Sequence, residues 1–121
     1  MNILLPLIFF VQTFLTGQTA DLQTHTLTMA FSYYDYNMVV VRWEIANNSD
    51  LPIMISPESF AIHDSDGVTR EKTCGETPVT TQTIQPHSLV NVTQCWVDVH
   101  GDVVTIEYEN GIGFQVLPTG E

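Results

Sequence analysis

The chain has 121 residues, room for one domain and hardly for two, and carries 14 acidic against 3 basic side chains, a formal net charge of −11 at pH 7. A surface of that sign repels phosphate backbones and anionic lipid head groups, which argues against nucleic-acid and membrane-surface binding. Cationic partners remain open, and solubility is the simplest consequence.

Residues 1–20, MNILLPLIFFVQTFLTGQTA, contain no Asp, Glu, Lys or Arg. Their apolar run, Ile3 to Leu15, is broken by Pro6, Gln12 and Thr13 and falls short of the roughly 20 residues that a membrane-spanning helix needs. The segment reads as an export signal over residues 1–20, cleaved between Gly17 and Asp21, with the domain over residues 21–121. It lacks a basic residue ahead of the run, and Gln18 interrupts a small-x-small cleavage site; an uncleaved interfacial anchor is the alternative. No Cys follows the run for lipid attachment, and the C-terminal LPTGE lacks both the extra residue and the apolar tail of a sortase signal. The expected protein is secreted or periplasmic, with no stable membrane insertion after cleavage.

Beyond the leader, side chains alternate with period two. HTLTMAFSY (25–33) is the first expected strand. In NMVVVRWEIAN (37–47), Val39, Val41, Trp43 and Ile45 make one apolar face, while Met38, Val40, Arg42 and Glu44 make the other. Shorter strands are expected at PIMIS (52–56), SFAIHD (59–64), VTREK (68–72) and VTTQTI (79–84). LVNVTQCWVDV (89–99) sets Leu89, Cys95, Val97 and Val99 against Val90, Val92 and Trp96, and VVTIEYE (103–109) and GFQVL (113–117) close the series. Turn formers separate these runs: Asn47 to Asp50 with Pro52, Ser65 to Gly67, Gly75 and Pro78, Pro86, Gly101 with Asp102, and Asn110 with Gly111. Strands at this spacing, over a mature length of about 100 residues, predict an all-β, immunoglobulin-like antiparallel β-sandwich of about seven to nine strands.

Cys74 and Cys95, an even count in an exported chain, are expected to form a disulfide, for a metal-thiolate site would need two further soft ligands. Asp64 and Asp66 in SFAIHDSDGVTR (59–70) raise a choice between a cation loop and a turn. Counting from Asp64 puts Gly67 fourth and Val68 fifth, which fails the spacing of a helix-flanked calcium loop and suits a hairpin. His25, His63, His87 and His100 show no HxH or HExxH spacing and are expected at strand ends or in solvent. No GxSxG elbow or phosphate-binding Gly loop occurs, and Glu107 and Glu109 read as decoration of an edge strand, so no catalytic residue, metal site or cofactor is assigned. YYDYN (33–37) carries the strongest binding signal, because tyrosines offer wide amphipathic area at low rotamer cost. Tyr33, Tyr34 and Tyr36, with Asn47 and Asn48 of the NNSD turn, are the candidate contacts for a protein partner.

The run from Asn37 to Tyr108, with VVVRWEIANNSDLPIMISPESFAIHDSDGVTR and then IQPHSLVNVTQCWVDV, resembles the immunoglobulin-like domains of unknown function in exported and lipoprotein-type bacterial surface proteins. The shared order is a strand ending in NNS, a Pro-led strand, F-x-I-x-D-x-D-G and a P-x-x-x-V entry to a late strand. The resemblance implies fold and extracytoplasmic location, not an activity, and the missing Cys after the leader departs from its lipoprotein members. The bacterial resemblance also leaves the sequons at Asn47 and Asn91 without a role. The expected function is a non-catalytic interaction or accessory module of the cell envelope. The alternative is a small envelope copper- or zinc-handling protein using side chains such as His25, Met29 and His63.

Overall fold

A computed structural model describes residues 18–74, 81–109 and 111–119. The leader's apolar run, the turn residues Gly75, Pro78 and Asn110, and the first two residues of the expected strand 79–84 lie outside the described residues. Among the described residues ten strands occur, β1 (Gln18–Asp21), β2 (His25–Asp35), β3 (Met38–Asn47), β4 (Ile53–Ile55), β5 (Phe60–Asp64), β6 (Gly67–Thr69), β7 (Gln82–Ile84), β8 (Leu89–Trp96), β9 (Val104–Tyr108) and β10 (Ile112–Val116). The described residues contain no α-helix, only a 3-10 turn at Pro57–Ser59.

Two four-stranded antiparallel sheets, in the orders β1-β2-β3-β8 and β10-β9-β5-β6, pack as a sandwich, and β4 and β7 form a separate pair. The expected apolar face of β3 is the inner one: Val39, Val41, Trp43 and Ile45 are all fully buried. Trp43 stands edge-on to Phe114 at 4.8 Å and tilted against Phe60 at 5.3 Å, with Phe60 in turn against Tyr108 at 4.9 Å. An aromatic chain from both sheets therefore fills the centre, and Trp43 satisfies its indole N–H by donating to Gln94 Oε1 at 2.7 Å.

A bulge between Met29 and Phe31 changes the phase of β2. Before it His25, Leu27 and Met29 face inward; after it Tyr34 does, while Phe31 is 46% exposed beneath the Arg42 guanidinium, 5.7 Å from the ring centroid. Other boundaries also shift. The strand expected over 68–72 stops at Thr69, and Glu107 lies on the interior strand β9 rather than an edge. Glu109 follows that strand at φ 54°, so the two glutamates do not share one face. In β8 the inward set is Val92, Gln94 and Trp96, and Leu89 and Val97 are exposed.

The expected disulfide is present. Cys74 and Cys95 are 5.4 Å apart at Cα, and closing a loop of 21 positions stabilises the fold by roughly 3 kcal/mol on the chain-entropy account. The bridge lies among backbone bonds from Cys74 N–H to the Cys95 carbonyl and from Val97 N–H to the Lys72 carbonyl, so residues 72–74 line the upper edge of β8.

Gln18, Thr19 and Ala20, which the sequence reading assigns to the leader, pair with β2 as part of β1. Ala20 is buried, and the Gln18 carboxamide acts as one more backbone unit for β10, donating to the Gln115 carbonyl at 2.7 Å and accepting its N–H at 2.9 Å. It joins the two sheets and caps the β10 edge at Gln115. Gln18→Ala removes both bonds, at about 1 kcal/mol each, and is expected to lower the midpoint of thermal unfolding by about 10 °C. An unchanged midpoint in a calorimetric scan would show that the seam contributes nothing.

Candidate functional site

The stretch Ser59–Arg70 forms the hairpin expected of it. Asp64 pairs with Gly67 across a two-residue loop, and Asp64 Oδ1 accepts the Asp66 N–H at 2.9 Å. It also holds a cation, supplied by the chain itself. The ammonium of Lys72, the only lysine, donates to Asp64 Oδ2 at 3.0 Å, Asp66 Oδ2 at 3.1 Å and the Asp98 carbonyl at 2.7 Å. The Asp64 side chain is fully buried there, and its Oδ2 accepts the His100 N–H as well, at 2.8 Å. Burial pushes the Asp64 carboxyl up, yet the His100 N–H, Lys72 and the Asp66 N–H outweigh it and hold the group below its ordinary 3.8. Burial likewise pulls the Lys72 ammonium down, and Asp64 and Asp66 together carry it above 10.5.

This knot gathers three loops at one end of the sandwich. The β2–β3 turn places Tyr36 and Asn37 at φ 52° and 63°, the doubly left-handed geometry of a tight hairpin. Asn37 holds the β8–β9 loop through both backbone and side chain, its carbonyl accepting the Val99 N–H at 3.0 Å while its Nδ2 donates to the Val99 carbonyl at 3.1 Å. The same Nδ2 donates to His100 Nδ1 at 3.1 Å, which leaves the proton of His100 on Nε2 facing Asp98 Oδ1 at 2.9 Å. The Tyr34 hydroxyl donates to the Gly101 carbonyl at 2.5 Å. Gly101 lies at φ 105°, where any side chain is strained, and a Cβ there would stand 3.0 Å from Ser65 Cβ, so glycine eases the close approach of the β5–β6 and β8–β9 loops.

Beside the knot opens a groove of about 470 Å³, lined by His63, Asp64, Ser65, Gly101, Asp102, Val103 and Thr105. His63 Nε2 donates to Glu107 Oε1 at 2.6 Å, and Glu107 Oε2 accepts the Gly111 N–H at 3.0 Å. The bond from His63 chiefly holds the Glu107 carboxyl below its usual range, against the opposing effect of burial. At the mouth, Val103 is 74% exposed, and Asp102 makes no hydrogen bond or ion pair among the described residues.

The five candidate contacts from the sequence do not form one surface. Tyr36 is 88% exposed at the tip and Tyr33 is half-buried on the outer face, but the phase change in β2 buries Tyr34. Asn47 is buried at the far end of β3, roughly 30 Å away at strand rise, where its Nδ2 donates to the Leu51 and Ile84 carbonyls and its Oδ1 accepts the Ser49 N–H. Asn48 donates to Thr26 Oγ1 at that same far end. Both asparagines shape a turn. His25 is buried at the start of β2 between Thr24 Oγ1 and the Tyr108 hydroxyl, whereas His63 bonds Glu107 on the outside of the other sheet. Tyr108 and Glu107 are neighbours on β9 and point to opposite faces, so the sheet separates the two histidines proposed for metal handling. No cluster of three or more His, Cys, Asp or Glu suited to a metal occurs among the described residues.

No family model and no curated protein matches the sequence. Two solved structures from Bacillus subtilis share the fold. The candidate lipoprotein ycdA superposes with a TM-score of 0.63 at 12% identity over 88% of this chain and 40% of its own. The yjhA protein superposes with a TM-score of 0.59 at 12% identity, covering 86% of this chain and 98% of its own. The chain thus spans less than half the length of ycdA and nearly all of yjhA.

The knot predicts its own failure. Lys72→Met leaves Asp64 buried without its cation and lowers the unfolding temperature at pH 7, and adding Asp64→Asn recovers part of the loss. Because the folded carboxyl titrates below 3.8, its contribution is complete above that value and fades as the pH falls through the folded value. Unfolding followed between pH 6 and pH 2 should be less acid-sensitive in the Asp64→Asn protein; the same slope as wild type would remove Asp64 from the account.

Proposed function

We propose that the chain is an exported, non-catalytic, immunoglobulin-like interaction module of the bacterial cell envelope, binding a protein partner through the end that carries Tyr36 and the groove. The observation that carries this reading is Tyr36. An aromatic residue at φ 52° occupies backbone that glycine or asparagine fills at lower cost, and at 88% exposure it contributes almost nothing to the core. A side chain that neither packs nor relaxes its turn is best accounted for by contact with something outside the domain. The rigid platform beneath it favours recognition over chemistry, since Asp64, Lys72, His100 and Tyr34 are all engaged in bonds that join loops.

The export half of the proposal draws on the disulfide, which persists in oxidising compartments, and on the fold shared with a candidate bacterial lipoprotein. The leader-like residues 1–17 would provide the route, and the placement of Gln18 and Ala20 in β1 favours processing ahead of Gln18.

A photo-crosslinking residue placed at position 36 in cells, compared with one at the far-end position 50, tests the reading. Discrete protein adducts from position 36 but not from position 50, on a chain recovered outside the cytoplasm, are expected. Tyr36→Gly should abolish the contact while leaving the unfolding temperature equal or higher. Absence of adducts from position 36, or adducts of equal yield from both positions, would overturn the proposal.

A further inference from the structure

Building on the protein-binding reading above, we propose that the groove at Asp102 and Val103 receives a lysine or arginine side chain carried on an extended segment of the partner. The argument begins with the cations. All three basic side chains of the protein are already held: Arg42 lies over the Phe31 ring, Arg70 Nε donates to the Glu58 carbonyl, and Lys72 fills the Asp64–Asp66–Asp98 knot. The outward field is that of the acids, and a cleft under such a field concentrates cations.

Within that field the groove combines the two features that a long basic side chain requires. Asp102 presents a carboxylate with no partner among the described residues, so an incoming ammonium or guanidinium displaces water rather than an existing bond. Val103 and Thr105 supply an apolar wall for the methylene stem, and Val103 is 74% exposed until something covers it. A volume of about 470 Å³ admits a side chain together with part of its backbone. Exposed Tyr36 at the same end of the sandwich extends the contact beyond the groove, which suits a polypeptide rather than a free amine. The Asp64 knot does not compete, because its carboxylate is enclosed by Lys72, His100 and Asp66.

A fluorescently labelled alternating Lys-Val peptide, with an alternating Glu-Val peptide as its counterpart, is the probe. Anisotropy titrations are run on wild type, Asp102→Asn and Asp50→Asn. Both substitutions remove one negative charge, but Asp50 lies at the opposite end beside His87, with its side chain 93% exposed. The Lys-Val peptide is expected to bind and the Glu-Val peptide not to bind. Asp102→Asn should weaken binding by about threefold, the size of one exposed ion pair, while Asp50→Asn changes it little. Equal weakening by the two variants would mean attraction to the whole surface and would overturn the inference, as would no binding of the Lys-Val peptide. Crosslinking from position 36 separates the two levels: adducts that survive Asp102→Lys unchanged leave the interaction module standing and remove the basic-side-chain assignment, whereas no adducts at all removes both.

Discussion

The ammonium of Lys72 is the constraint on which the end of the sandwich that carries the groove depends. Two carboxylates and a carbonyl converge on it from β5, from the turn after β5 and from the β8–β9 loop, and no other lysine exists in the chain. Asp64 could not be buried there without that charge, because a desolvated, unpaired carboxylate is among the costliest things a protein can hold. The disulfide two residues later keeps the supply in place: Cys74 bonded to Cys95, with Lys72 and Cys74 backbone groups paired along β8, fixes where the lysine stem begins. Covalent chemistry, a backbone edge and an ion knot thus act on the same few residues.

The two ends of the sandwich are built on different principles. At the far end, buried amides and a buried imidazole join the elements, with Asn47 gathering the turn after β3 and His25 reaching Tyr108 across the core. Burial pushes the His25 imidazole below its ordinary 6.5, against a weaker upward pull from Glu109. At the near end the Lys72 ammonium is held between Asp64 and Asp66, acids stay in excess, and the groups facing solvent include Tyr36, Val103 and Asp102, one aromatic, one aliphatic and one anionic, beside the partly exposed Asp66 and Asp98. Such a combination, set on a rigid frame, has the composition of a small recognition surface.

Much of the architecture was legible in the sequence because it rests on period-two burial. The alternation of Val39 to Ile45 named the centre of the core, and the two cysteines named their own bond. What escaped has identifiable causes. A one-residue bulge at the middle of β2 has no local signature, and it exchanges the fates of Tyr33 and Tyr34. Gln18 to Ala20 read as the tail of a leader because β1 is only four residues long, and the bonds of the Gln18 carboxamide to Gln115, almost a hundred residues away, leave no local signature. Asn47 looked like an exposed turn residue, yet its side chain serves three backbone groups from inside. The groove arises from the approach of two loops far apart in the chain, permitted by the missing side chain of Gly101. Lys72 could have been found: a sole lysine two residues before a bridging cysteine, in a chain rich in acids, needs a carboxylate nearby.

The central claim is that this lysine is an internal structural cation. Since it is the chain's only side-chain amine, a nuclear magnetic resonance titration of its Cε and Nζ signals reports on it without ambiguity. The account predicts a folded-state pKa above the ordinary 10.5, together with through-space contacts to Asp64 and Asp98. A lysine titrating at or below that value, free of such contacts, would contradict it.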